Sequence, residues 1–338
     1  MSGTGGILVV EGLRKEFKRV TALDGIDIVI DQPGVYGFLG PNGAGKTTTF
    51  RLICALLRPT AGRILVDGID VQVRTRDAMS RLGVQFDSPS FYPYLSGREN
   101  LDVITRWLDD PPDRSRLDGL LAFVGLKDAA NRRVGGYSWG MRQRLGLAAA
   151  LISDPTLVLL DEPTNGLDPA GIADVRRLLP SLAHDQGRTV FVSSHRMEEV
   201  EQVCDHVTII HQGRIVAAGA PEDLAAPDDS IEVQCDDPTA AAAALSELDG
   251  VEQVRVTGET TLSVRAPRLR AGRVNEVLVG RRISVEQVIR RRETLEQVFF
   301  RLTNTGHAPG APDAPGRPGK ERGNSAREDR PPEGGGER

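Results

Sequence analysis

The run GPNGAGKT, Gly40 to Thr47, sits between an apolar stretch, VYGFL, and a stretch with helical character, TTTFRLICALL. Its glycines let successive backbone N–H groups turn inward around phosphate oxygens. It ends in a lysine and a hydroxyl, an arrangement that works where a strand feeds directly into a helix. A chain carrying it in that context is committed to an α/β core. Gly40, Pro41, Asn42, Gly43, Ala44, Gly45, Lys46, Thr47 and Thr48 form the candidate nucleotide cradle. Lys46 is placed to neutralise the β- and γ-phosphates, and the Thr47 hydroxyl to ligate Mg2+. A glycine-rich turn with a solvated lysine is the plainer alternative, and the flanking strand and helix count against it.

The rest of the chain agrees with such a core. Residues 7–39 form short apolar runs broken by Gly, Pro and Asp, which read as strands. The helix after Lys46 closes at Arg58-Pro59-Thr60-Ala61-Gly62, and GRILVDGIDV follows as a hairpin turning at Asp67-Gly68. Residues 97–150 read mainly helical, interrupted at Pro111-Pro112. TLVLLDEP and TVFVSSH are unbroken apolar runs on either side of a helix around 170–184, as expected of parallel strands buried on both faces. After about Asp229 the texture changes to a small βαββαβ-like α+β module over 229–304. Residues 305–338 form a tail of Gly, Pro and charges without Leu, Ile, Val or Phe, for which disorder is expected.

Bulk properties narrow the partners. At 338 residues the chain has room for about two domains. With 42 basic against 47 acidic residues and a pI near 5.7, it lacks the basic balance of a duplex binder, so no nucleic acid is expected. Cys54, Cys204 and Cys235 lie far apart, form neither a disulfide framework nor a CxxC pair, and suit a reducing compartment. The opening MSGTGGILVVEGL lacks the features of a signal peptide, and no apolar run approaches the roughly 20 residues of a spanning helix. Any membrane role would be borrowed from a partner.

TLVLLDEP ends in two carboxylates, and past a strand's carboxyl end both can border the crevice where α/β proteins bind ligands. Asp161 is the candidate metal ligand, directly or through water, and Glu162 the candidate base for an attacking water. In this order the motifs resemble those of the ATP-binding subunits of ABC transporters, over about residues 7–225. YSWGMRQRLGLAAAL, from Tyr137, is similar to the family's signature segment, with Ser138, Gly140 and Met141 at the positions of its serine, second glycine and glutamine. TNGLDP is similar to its D-loop, with Asp168 as the aspartate. SSH ends at His195, where the family carries its switch histidine, and Phe17 fills the aromatic position that stacks on adenine. Trp139 replaces the first glycine of the usual LSGGQ, and Met141 cannot form the hydrogen bonds of the glutamine it replaces.

The resemblance implies a P-loop NTPase cassette over 1–228, made of a RecA-like parallel sheet, an antiparallel β subdomain and a helical subdomain at about 90–150. It implies ATP and Mg2+ as cofactors and a second ATPase subunit, two ATP molecules being sandwiched head to tail. His195 would then hydrogen-bond the γ-phosphate and hold Glu162 and the water in line. It also implies a membrane permease subunit, in two copies or as one fused pair, which alone meets the transported substrate. The chain would sit at the cytoplasmic face of the membrane. YSxGM resembles the signatures of bacitracin- and daunorubicin-type exporter subunits, so the expected function is to energise export of a drug, antibiotic or peptide. A soluble ATPase of the same superfamily acting on ribosomes or DNA, and an importer subunit, are the alternatives.

LGVQFDSPSFYP, residues 82–93, departs from the family pattern. Aligning Gly83, Pro89 and Glu99-Asn100-Leu101 with the family's run puts Asp87 where a glutamine usually contacts Mg2+ and the attacking water. The place where the strand ends agrees: Gln85 falls inside the strand, and Asp87 lies where the strand gives way to Ser88-Pro89. Asp87 is therefore expected to serve both metal and catalysis. Phe91, Tyr92 and Tyr94 are candidates for docking the membrane subunit. In RRRETLEQVFFRLT, Leu295, Val298, Phe299 and Leu302 share one helical face, expected to pack in the core of the small domain.

Overall fold

The computed structural model describes residues 6–225 and 227–304. Strands β1 (Leu8–Phe17) and β2 (Val20–Ile30) form a hairpin, and β3 (Gly34–Leu39) leads into α1 (Lys46–Ile53). Next come β4 (Ala61–Val66), β5 (Ile69–Asp70), α2 (Thr75–Met79) and β6 (Leu82–Gln85). A helical segment follows, with α3 (Gly97–Thr105), α4 (Arg114–Phe123) and α5 (Trp139–Ala150). The chain returns through β7 (Leu157–Asp161), α6 (Pro169–Pro180), β8 (Thr189–Ser194), α7 (Met197–Glu201), β9 (His206–His211), β10 (Arg214–Gly219) and α8 (Pro221–Leu224). It ends in β11 (Pro227–Cys235), α9 (Pro238–Ser246), β12 (Gln253–Val256), β13 (Thr261–Arg265), α10 (Ala271–Gly280), β14 (Val285–Arg292) and α11 (Leu295–Asn304).

The central sheet runs β10-β9-β3-β8-β7-β6, parallel from β9 to β6, with β10 antiparallel at one edge. Every residue of β7 and β8 is buried, which is why both read as unbroken apolar runs. The β2-β1-β4-β5 sheet is antiparallel and half-solvated. In β2 the buried Leu23, Ile26, Ile28 and Ile30 alternate with more exposed neighbours after a break at Gly25. The two sheets share one core, in which Phe38, Phe50 and Phe191 pack with ring centroids 5.1 to 6.4 Å apart. Truncating such a ring to alanine costs about 3–5 kcal/mol of stability.

The helical segment begins with a capping box: Ser96 Oγ accepts from the Glu99 N–H and Glu99 Oε2 accepts from the Ser96 N–H. Pro111 and Pro112 fall in the break between α3 and α4, where no helical N–H is missed. The third sheet, β12-β13-β11-β14, is antiparallel, and α9 and α10 bring Ala241, Leu245, Val274 and Leu278 into a separate small core with it.

The final helix departs from the sequence expectation. Leu295 and Val298 of α11 are buried with Val35, Met197, Val200 and Val207 of the cassette, and Phe299 and Leu302 pack against that same cluster rather than the small module's core. A helical apolar stripe states that a face must be covered, and α11 lays it along α7 and α8. The expectation for the tail, 305–338, lies outside the described residues.

Candidate functional site

Parallel strands deliver their loops to one edge. β3 ends in the phosphate loop, β8 in His195, β7 in Asp161 and Glu162, and Asp87 follows β6. There a cavity of about 450 Å3 brings Asn42, Gly43, Gly45, Lys46, Thr47 and Thr48 together with Asp87, Asp161, Glu162 and His195. Gly45 has φ 117°, and a Cβ there would lie 2.7 Å from Leu23 Cδ2 and 2.9 Å from the Ala22 carbonyl oxygen, so only glycine fits. The Lys46 ammonium, almost fully buried, donates to the Gly40 and Pro41 carbonyls at 2.7 and 3.3 Å and lies 3.3 Å from Glu162 Oε1.

Glu162 occupies the left-handed region, φ 52°, which costs a non-glycine residue roughly 1–3 kcal/mol and persists only where surroundings fix it. Its N–H donates to the Ser193 carbonyl at 3.2 Å and to Ser193 Oγ at 3.1 Å. Its carboxylate is held between Lys46 and His195, whose Nδ1 lies 2.9 Å from Oε2. Asp161 is buried, and Oδ1 accepts the Ser193 hydroxyl at 2.6 Å. Behind it, burial, with a smaller push from the Asp161 charge, raises the Cys54 thiol to about 12.

Gln85 and Asp87 part company. Gln85 is 4 % exposed, and its amide N donates to the Gln143 carbonyl at 3.1 Å and to the Gln143 side-chain oxygen. Asp87 lies on the cavity wall, with Oδ1 accepting from Asn165 Nδ2 at 2.9 Å and its carbonyl accepting from Gln143 Nε2 at 2.7 Å. Asn165, Gln143 and Ser193 organise the site and were not singled out from sequence. Each acts through a bond to a distant loop, and only the place of Asn165 just after the carboxylate pair, and of Ser193 just before His195, could have pointed to them.

Several candidates stand outside this cavity. Gly40 and Pro41 act as acceptors for Lys46, and Ala44 is buried beneath the loop. Phe17 is partly exposed at the end of β1, with the Lys15 ammonium 4.9 Å from its ring centroid. Ser138 caps α5, accepting from the Met141 N–H at 3.2 Å, and Asp168 caps α6, accepting from the Gly171 N–H at 2.8 Å. Gly140 and Met141 lie in the first turn of α5. Phe91 packs against the main core, whereas Tyr92 and Tyr94, with rings 5.8 Å apart, are exposed.

A strand–loop–helix phosphate cradle facing a strand-end carboxylate pair defines a phosphate-loop nucleoside triphosphatase. Residues 23–165 match the model of the ABC transporter family. The chain is 35% identical to the bacitracin transport ATP-binding protein BcrA of Bacillus licheniformis, over 89% of this chain and 98% of the relative. It is 38% identical to the daunorubicin resistance ATP-binding protein DrrA3 of Streptomyces coeruleorubidus, over 88% and 95% respectively. Among solved structures, cbiO1 of Clostridium perfringens, part of the ABC transporter complex cbiONQ, superposes with a TM-score of 0.60 at 29% identity, covering 65% of this chain and 90% of that one. The chain belongs to the ATP-binding proteins of ABC transporters and is an ATP hydrolase of that class. Among the described residues no helix is long and apolar enough to cross a membrane.

Proposed function

We propose that this chain energises export of a drug, antibiotic or peptide through a separate membrane permease, at whose cytoplasmic face it works as a head-to-tail pair. The observation that carries the chemistry is Glu162, a strained carboxylate held between Lys46 and His195 at the mouth of the phosphate loop. As general base it would polarise a water directed at the γ-phosphate, while Lys46 and the loop N–H groups spread the phosphate charge. His195 keeps the Glu162 carboxylate aimed. Export is supported by similarity to a bacitracin transport and a daunorubicin resistance protein that runs through the small module as well as the cassette.

The pairing has its own support. Ser138, Gly140, Met141 and Asp168 do not line their own chain's nucleotide cavity, and the N-terminus of α5 that Ser138 caps is suited to an anion. In the pair they would meet the partner's γ-phosphate, and Phe17 would stack on adenine. Among the described residues no group of three His, Cys, Asp or Glu side chains could hold a metal alone, yet the Thr47 hydroxyl and the Asp161 and Asp87 carboxylates share the cavity. Few hard oxygen donors beside phosphate fit Mg2+, which would draw the phosphate charge toward them. The exposed Tyr92 and Tyr94 form the candidate docking patch for the permease.

Glu162→Gln tests the reading. In the complex with the permease it is expected to lower ATP turnover roughly 10²- to 10⁴-fold while ATP binding is retained. Turnover within a factor of two of the parent, by a phosphate-release assay, would remove Glu162 from the role.

A further inference from the structure

Trp139 stands at the start of α5, and its indole N–H donates to the Asn165 carbonyl at 2.8 Å, tying the helix to the loop after β7. Asn165 continues the connection. Its side-chain amide donates to Asp87 Oδ1 at 2.9 Å, and its backbone N–H donates to the Glu162 carbonyl at 3.0 Å. One helical turn beyond Trp139, the buried Gln143 donates to the Asp87 carbonyl at 2.7 Å. Two attachments one turn apart on the same face of α5 fix its rotation as well as its distance. With either alone, the helix could pivot.

The indole also shapes the loop it holds. Gly166 has φ 71°, and a Cβ there would lie 3.0 Å from Trp139 Nε1. Trp139 is 39 % exposed, so burial alone does not call for so large a ring: an aliphatic side chain would cover the inner side and leave the Asn165 carbonyl without this donor.

We infer that Trp139 is a positioning residue for the ATP-driven pairing of two subunits. It joins α5 to the Asn165 loop, and through Asn165 to Asp87 and Glu162, so that the N-terminus of α5 is presented at a fixed place beside that loop. This rests on the reading that Ser138 meets the nucleotide of a second subunit. Trp139 acts through the Asn165 carbonyl. Losing one such hydrogen bond should weaken sandwich formation roughly three- to tenfold and leave the first encounter of ATP with the phosphate loop unchanged.

The chain has two tryptophans, and Trp107 is 86 % exposed and outside the nucleotide crevice, so Trp107→Phe leaves Trp139 as the sole indole. In the full chain carrying Trp107→Phe and Glu162→Gln, MgATP is expected to produce a dimer and to shield Trp139 from acrylamide quenching. Adding Trp139→Phe, which keeps a ring and removes the N–H, should weaken ATP-driven dimerisation without changing the affinity of the single subunit for a fluorescent ATP analogue. Asn165→Ala keeps the carbonyl and removes the amide; combined with Trp139→Phe it should weaken dimerisation by less than the two separate losses together. Dimerisation unaffected by Trp139→Phe, or fully additive losses, would overturn the inference. So would an equal loss of subunit affinity and dimerisation in both Trp139→Phe and Trp139→Leu, which would make the ring merely structural. A Glu162→Gln parent that stays monomeric with MgATP overturns the sandwich reading and this inference with it; a parent that dimerises beside an unaffected Trp139→Phe overturns this inference alone.

Discussion

Gln85 and Asp87, two positions apart, have acceptor side chains with opposite fates: Gln85 is the last residue of β6, and Asp87 lies beyond the strand's end. The amide is spent inside the protein on Gln143, while the carboxylate reaches the crevice. Gln85→Ala is therefore expected to cost about 1–3 kcal/mol of stability by orphaning the buried Gln143, with ATP binding retained. Asp87→Asn and Asp87→Ala should leave the melting temperature close to the parent's and shift the Mg2+ concentration that half-activates turnover. Thermal melts and Mg2+ titrations of the three variants decide it, and a reversed pattern would return the role to Gln85. The phosphate loop, Asp161 and Glu162 were legible because each is a short run whose chemistry depends on its neighbours in sequence. Asn165 was not, because its bond to Asp87 joins two loops and leaves no local pattern.

Among the elements, α11 shows what periodicity can and cannot say. Its apolar stripe was readable at Leu295, Val298, Phe299 and Leu302, but a stripe names a face and not the surface it meets. The βαββαβ order of the small module was legible from alternating textures, since its sheet is antiparallel with helices packed on it. Val298→Asp puts a carboxylate into the cassette core and is expected to destabilise the chain by more than about 3 kcal/mol. Phe300→Ser, on the half-exposed flank of the same helix, should cost only about 1 kcal/mol. Urea denaturation of the two variants compares them. A Val298→Asp chain as stable as its parent would mean that α11 is not seated on the cassette in solution.

Across the whole molecule, Asp154 pins three parts together. It pairs with Arg116 of α4 and with Arg188 at the entry to β8, and the Arg188 hydrogen bond is the larger cause that holds its carboxyl below the usual range. A carboxyl whose folded value lies below its unfolded one stabilises fully above the unfolded value, about pH 4, and less as pH falls through the folded one. The stability gap between the parent and Asp154→Asn should therefore be present near neutral pH and shrink as the pH falls below about 4. A gap that widened on acidification would contradict the pairing. The side chain is largely exposed, so the gap is small at any pH.

Translation runs from the amino end to the carboxyl end, and α11 is made after everything it helps to cover. Val35 and Leu295 belong to one buried cluster, so a helix from the end of the described chain closes a core begun near its start. Until the small module has left the ribosome, the nascent nucleotide-binding body carries an open apolar seam. Val298→Asp is the full-length stand-in for such an interrupted chain. A polypeptide stopped within the module would leave bare the apolar surface that α11 covers in the finished one, and would forgo the stability that this contact gives.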